Sequence, residues 1–255
     1  MTIPLQRGII YGPVNSRRLG RSLGINLLPL NMKICTFNCV YCQYGWTRVH
    51  DWHLDNSERW PAEDLIYQEL RKYLKTLETP PAYLTFSGNG EPTLHPDFPR
   101  IVEEVTAIRD EVVPSAKTAV LSNSTTVTDS LIRTALEKLD VPVMKLDCGN
   151  SECFQRYNQP VKDVSFPGMI EGLAAMKNVT LQSLFATGPS GNFSESDIES
   201  WIEQVQFIRP QFVQIYTLDR GTPSKEIYPA DYDKLEQLGQ HLRADGIPCQ
   251  VFTGQ

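Results

Sequence analysis

Six times in 255 residues a short apolar run gives way to a stretch whose apolar residues recur every three or four positions. The runs are 25–30, 83–87, 118–122, 141–147, 179–185 and 212–217. They are short and bounded by turn residues, the mark of strands. The stretches between them read as amphipathic helices. Ile66, Leu70, Tyr73, Leu74 and Leu77 share one face behind Pro61, a residue suited to a first helical turn. Phe98, Ile101, Val102 and Val105 mark the second helix, Leu131, Ile132, Ala135 and Leu136 the third, and Met169, Ile170, Leu173 and Met176 the fourth. The fifth starts at Ser194, with Asp197 at capping-box spacing, and the sixth carries Tyr232, Leu235, Leu238 and Leu242. Strands interleaved with helices predict an α/β chain with a parallel sheet and right-handed crossovers. Periodicity fits a doubly wound sheet and a barrel equally well. No repeat or linker divides 1–255, so one domain is expected, with an irregular basic lead-in over 1–24.

Composition narrows the function classes. Hydrophobic content of 41% and charged content of 21% are those of a soluble globular protein. No apolar run approaches the roughly 18 residues of a membrane span, and the first residues lack a signal-peptide layout. Six cysteines, three of them clustered, favour a metal site in a reducing cytoplasm over a disulfide frame. Formal charge is −6, unevenly spread. Residues 1–50 hold Arg7, Arg17, Arg18, Arg21, Lys33 and Arg48 and no acid, leaving 18 Lys and Arg against 30 Asp and Glu elsewhere. A positive segment in an acidic protein points to a local anionic ligand, with a solvated basic face as the plainer reading.

The chemistry concentrates at Cys35-Thr-Phe-Asn-Cys39-Val-Tyr-Cys42. Three thiolates are one short of the four that close an ordinary iron–sulfur cluster, and an open metal position is what reactivity requires. A zinc site completed by His50 or His53 is the alternative. In parallel βα architectures the site lies at the carboxyl ends of the strands. The cysteines follow the first expected strand, Gly88-Asn89-Gly90-Glu91 the second, Ser122 and Asn123 the third, Asp147 and Cys148 the fourth. Ser122, Asn123 and Asp147 suit ribose hydroxyls, although Asn123 equally suits a helix cap. Lys145 and Asp147 share a strand face, either as an ion pair or with Lys145 catalytic. Cys148, Cys153 and Cys249 are candidates for an auxiliary cluster, and Cys148 for a substrate-facing thiol.

With Tyr41 before its third cysteine, the loop resembles that of the radical S-adenosylmethionine (SAM) superfamily. Together with YGPVNSRRLGRSLGIN, TFSGNGEPTLHPDFP, KLDCGNSECFQRYNQP and QIYTLDRGTP it is similar to a bacterial group related to wyosine tRNA synthetases. The resemblance implies a partial (β/α)6 TIM-like barrel over 25–245, with an edge segment over 246–255. It implies a 4Fe–4S cluster on Cys35, Cys39 and Cys42, and bound SAM cleaved to a 5′-deoxyadenosyl radical. The SAM ammonium would face Gly88, Asn89, Gly90 and Glu91, and adenine would face Tyr41 and Leu184. An electron donor of flavodoxin or ferredoxin type follows from the same resemblance. Two departures stand out: no cysteine precedes Cys35, and only the first fifty residues are basic where tRNA binding calls for a broad basic surface. A smaller one is Asp147-Cys148-Gly149, where the group reads Asp-Ala-Gly. A small-molecule or peptide substrate is the favoured expectation. The competing ones are tRNA modification with Arg17, Arg18, Arg21 and Arg48 on phosphate, a glycyl-radical activase, and a non-catalytic zinc module.

Overall fold

The computed structural model describes residues 2–47 and 60–252. Its first element corrects the expected irregular lead-in. Strands β1 (Ile10–Ser16) and β2 (Gly20–Ile25) form an antiparallel hairpin. Ser16 Oγ closes the turn by accepting from the backbone N–H groups of Arg18 (3.3 Å) and Leu19 (3.2 Å). Glycines hide these strands from a pattern search, because they leave gaps in the alternation. Gly24 is needed where it stands, since a Cβ there would lie 2.1 Å from Cζ of Tyr11, whose ring covers it. The expected first strand at 25–30 is thus displaced: the strand ends at Ile25 and the loop begins.

From there the alternation holds. The chain runs α1 (Glu63–Leu74), β3 (Tyr83–Phe86), α2 (Phe98–Val112), β4 (Lys117–Ser122), α3 (Ser130–Glu137), β5 (Val141–Lys145), α4 (Ser151–Tyr157) and α5 (Phe166–Ala174). It continues through β6 (Thr180–Thr187), α6 (Glu195–Ile208), β7 (Phe212–Thr217), β8 (Tyr228–Pro229), α7 (Tyr232–Ala244) and β9 (Cys249–Phe252). The sheet order is β1-β2-β3-β4-β5-β6-β7-β9, parallel from β2 onward, with β8 set antiparallel on β6. The expected edge segment is β9, paired with β7. Among the described residues the two ends of the sheet, β1 and β9, do not pair with each other, so the barrel is partial and open.

Helix starts follow capping chemistry. Asp129, Asn150, Ser165, Ser194 and Asp231 each accept a backbone N–H from the first turn of the helix they precede. Period-two alternation then sorts the strand side chains. Leu84, Phe86, Val120, Met144, Leu181, Phe185, Val213 and Ile215 join the core beneath the helices. The opposite, inner face carries Ala119 and Val143, flanked by Leu121 and Val141, and here Leu19 from the β1–β2 turn packs. Toward the carboxyl ends the same inner face turns polar, with Lys145, Gln182, Gln214 and Tyr216.

One cysteine reading is overturned. Cys148 and Cys153 are joined by a disulfide, and both are buried. Cys148 is therefore no substrate-facing thiol, and the pair is spent as far as an auxiliary cluster is concerned. The five-residue separation is short for the eye to pair, but Asn150 starts α4 between them and turns Cys153 back. Among the described residues no helix is long and apolar enough to cross a membrane.

Candidate active site

The cysteine loop leaves the carboxyl end of β2 and is stitched to its surroundings by backbone hydrogen bonds. Ile34 N–H donates to Asn89 O (3.1 Å) and Glu91 N–H donates to Ile34 O (3.0 Å), so the loop enters as a short bridge beside Gly90. Val40 N–H donates to Tyr157 O (3.1 Å) and Val161 N–H to Thr36 O (2.9 Å), which ties the loop to α4 and its exit. Between these seams the three sulfurs each meet an N–H donor from a different part of the chain. Lys33 Nζ lies 3.1 Å from Cys42 Sγ, Asn123 Nδ2 3.4 Å from Cys35 Sγ, and Asn158 Nδ2 3.5 Å from Cys39 Sγ. Such donors stabilise thiolates and tune a cluster bound to them.

The electrostatics agree. As free thiols, Cys35 is pushed up to about 12 and Cys39 to about 11, chiefly by burial. Thiolates there need a positive charge, whether a metal or the buried Lys33 ammonium. Burial alone would lower the Lys33 pKa, but Cys42, Cys35 and Cys39 raise it above its ordinary value. Among the described residues no three His, Cys, Asp or Glu side chains gather as ligands of a single ion. Three thiols with an amide or ammonium donor at each sulfur are a donor set that fits a cluster taking one iron per thiolate. His50 and His53, the fourth zinc ligands considered above, lie outside the described residues, as does Arg48.

The Gly88–Glu91 turn has a structural task that its sequence did not reveal. Gly88 and Gly90 sit at φ +137° and +140°, and a Cβ on Gly90 would lie 1.8 Å from Ile34 O. Asn89 is buried; its Nδ2 donates to Gln6 O and Pro29 O (both 3.0 Å), and its Oδ1 accepts from Gln6 N–H (2.7 Å). Glu91 is 1% exposed. Its Oε1 accepts from Thr93 N–H (3.1 Å) and Thr93 Oγ1 (2.7 Å), and its Oε2 from Asn123 N–H (2.5 Å). Burial raises its pKa, and those donors oppose the rise. The residue drawn above toward a ligand ammonium is thus engaged by the protein's own donors. Ser122 Oγ accepts from Ser124 N–H (3.1 Å), and Asn123 Oδ1 accepts from Thr125 N–H (3.0 Å), each closing a local turn.

Asp147 is the hub of a second network. Its side chain is 0% exposed, and Oδ1 receives Lys145 Nζ (2.9 Å) and Leu184 N–H (2.8 Å). Oδ2 receives Tyr41 Oη (2.5 Å) and Asn158 Nδ2 (2.9 Å). The ion-pair reading of Lys145 and Asp147 is the observed one, and the carboxylate turned to ribose hydroxyls above is saturated by protein donors. Lys145 also donates to Tyr216 Oη (2.9 Å), which donates on to Gln182 Oε1 (3.2 Å). Burial alone would lower the Lys145 pKa, but Asp147 and Tyr216 raise it. Tyr41 packs on Tyr157 at 5.0 Å between ring centroids. Leu184 lies on the inner face of β6, buried, with its carbonyl held by Asn192 Nδ2 (2.9 Å).

The structure therefore assembles Tyr41, Cys35, Cys39, Cys42, the Gly88–Glu91 turn, Ser122, Asn123, Lys145, Asp147 and Leu184 at one end of the sheet. Sequence reasoning missed Lys33, Asn158, Asn192 and Tyr216. Lys33 alone carried a signal, as the basic residue nearest the cysteines; buried amides leave none.

A model of the Radical SAM superfamily matches residues 32–205. A curated protein named GTPase Obg from Brachyspira hyodysenteriae is 30% identical over 242 residues, 92% of this chain and 34% of that one, so the chain spans about a third of that relative. A UPF0026 protein of Methanocaldococcus jannaschii is 30% identical over 234 residues, 90% of this chain and 70% of that one. Among solved structures, a radical SAM methyltransferase from Sphaerobacter thermophilus superposes with a TM-score of 0.65 at 13% identity, covering 91% of this chain and 66% of the other. TYW1 with a lysine–pyruvate adduct bound gives 0.61 at 15%, covering 88% and 74%. Streptococcus suis SuiB bound to S-adenosylmethionine gives 0.61 at 14%, covering 89% and 51%. At such identities the structural likeness is one of fold.

Proposed function

Because the chain belongs to the radical SAM superfamily, we propose that it holds one 4Fe–4S cluster on Cys35, Cys39 and Cys42 and acts on a small-molecule or peptide substrate. The observation that carries the reading is the set of three N–H donors, from three separate elements, each aimed at a different cysteine sulfur. Held by Cys35, Cys39 and Cys42, such a cluster would supply, when reduced, the electron for cleavage of SAM to methionine and a 5′-deoxyadenosyl radical able to abstract hydrogen.

The chain's own residues do the rest. Lys33 offsets thiolate charge, and Asn123 and Asn158 hold Cys35 and Cys39 in place. Glu91 acts through the turn it anchors, positioning Asn123 and the Gly90–Ile34 seam. Asp147 fixes Tyr41 beside the cysteines and Lys145 on the inner wall, and Leu184 keeps that wall apolar next to them. Ser122 and Asn123 stand at the β4 end, where the ribose of SAM is expected. A flavodoxin- or ferredoxin-type donor completes the reading, since a cluster that cleaves SAM reductively needs an electron source.

Anaerobic purification tests it. About four iron and four sulfide per chain, together with dithionite-dependent formation of 5′-deoxyadenosine from SAM, are expected, and both fall in Cys39→Ser. Zinc in place of iron, or iron loading that Cys39→Ser leaves intact, would overturn the proposal.

A further inference from the structure

Two distant parts of the chain bring cations to one aromatic ring on the inner wall. The β1–β2 turn carries Arg18 inward and sets its guanidinium carbon 4.3 Å from the Tyr216 ring centroid. From β5, Lys145 places its ammonium nitrogen 4.8 Å from the same centroid and 2.9 Å from the hydroxyl. Leu19, packed among Ala119, Val143 and their neighbours, fixes the turn that delivers Arg18.

Among the described residues the charges around Tyr216 do not balance. Asp147 answers Lys145, and Asp219 pairs with Arg17 next to Arg18. Among the described residues the Arg18 guanidinium has no ion pair and no hydrogen bond, only the ring beneath it. The ring contact takes up none of the guanidinium N–H donors, and those donors match carboxylate or phosphate oxygens. Lys145 spends two of its three protons on Asp147 and Tyr216. A half-buried cation without a counter-charge costs free energy that a bound anion offsets. The place is also suited to a reactant: Tyr216, Lys145, Asp147 and Tyr41 form one connected chain of polar contacts that ends between Cys39 and Cys42.

We propose that the substrate carries an oxyanion, a carboxylate or a phosphate, held by the guanidinium edge of Arg18 above Tyr216 with Lys145 as the second cation. Calling the ligand a substrate rests on the function proposed above; the anion site rests on its own geometry. An RNA backbone fits less well, because phosphate tracking uses several cations on an open surface, whereas Arg18 is one half-buried residue on an inner wall.

The test is binding to the full chain, by calorimetry and thermal shift at constant ionic strength, with succinate and inorganic phosphate as probes. At least one binds and raises the melting temperature; which one does so identifies the carboxylate or phosphate arm. Arg18→Ala weakens the apparent affinity at least about 10-fold, as loss of a charge-assisted pair requires. Arg18→Lys, which keeps charge and loses the fork, falls between, and exposed Lys162→Ala binds like wild type. Circular dichroism checks folding, and Arg18→Lys serves if the alanine variant fails to fold. The proposal is overturned if neither probe binds, if Arg18→Ala binds equally well, or if only bulk tRNA binds in an Arg18-dependent, salt-sensitive way. If wild type forms no 5′-deoxyadenosine yet binds anions through Arg18, the radical SAM reading falls and the anion site stands.

Discussion

Replacing Gly90 by alanine tests the seam that holds the cysteine loop to the sheet. The added Cβ would sit 1.8 Å from Ile34 O and 2.6 Å from Ile34 C, both backbone atoms that no rotamer change can move. The residue also holds φ +140°, a region that costs a side chain about 1–3 kcal/mol. To fit, the loop must retreat and break Ile34 N–H to Asn89 O and Glu91 N–H to Ile34 O, each worth about 1 kcal/mol. The total is about 3–5 kcal/mol, a large share of the ~5–15 kcal/mol that holds a domain together. For a chain of this size that corresponds to a fall in Tm of about 10 °C. Gly20→Ala is the control: φ is +72° with nothing within 4 Å of a Cβ, so only the left-handed backbone cost of about 1–2 kcal/mol applies. Thermal unfolding followed by circular dichroism reads both variants, and iron content after anaerobic reconstitution reads the loop. Equal melting of the two variants would refute the steric argument. Normal iron loading in Gly90→Ala would show that the seam does not position the cysteines.

Asp147→Asn strands the Lys145 ammonium in the interior and costs about 3–5 kcal/mol, while the double variant Lys145→Met/Asp147→Asn recovers part of that loss. Strictly additive effects in a double-mutant cycle would show that the two are uncoupled. Asp140 sits at the start of β5; burial alone would raise its pKa, but Thr118 N–H and Arg109 outweigh it and hold it below the usual carboxylate value. Its contribution is therefore present above the unfolded pKa and lost as pH falls through the lowered one. Asp140→Asn is accordingly less stable than wild type near neutrality, and the gap in denaturant midpoints closes in acid; a gap constant with pH would contradict this. Thiol titration of the unfolded, unreduced chain finds four free cysteines, Cys35, Cys39, Cys42 and Cys249, and reduction raises the count by two; six without reductant would refute the disulfide.

The parallel strands and their helices were legible because each buries one face, and burial writes itself into sequence as period. The hairpin was not, because Gly12, Gly20 and Gly24 erase alternation where Tyr11 and the turn need room. The cysteine loop was legible from spacing. The duties of Glu91 and Asp147 were not: a carboxylate aimed at a ligand and one engaged by neighbouring N–H and O–H donors look alike in sequence. Asn158 and Tyr216 were invisible for a related reason, since each acts through contacts with residues more than 70 positions away.

Leu19 and Arg18 are adjacent on one short turn, the first set in the aliphatic floor and the second reaching the wall above it. Folding and recognition therefore share an address. Changing the length of that turn would shift the affinity of the proposed anion site and the melting temperature in the same stroke, without altering a strand.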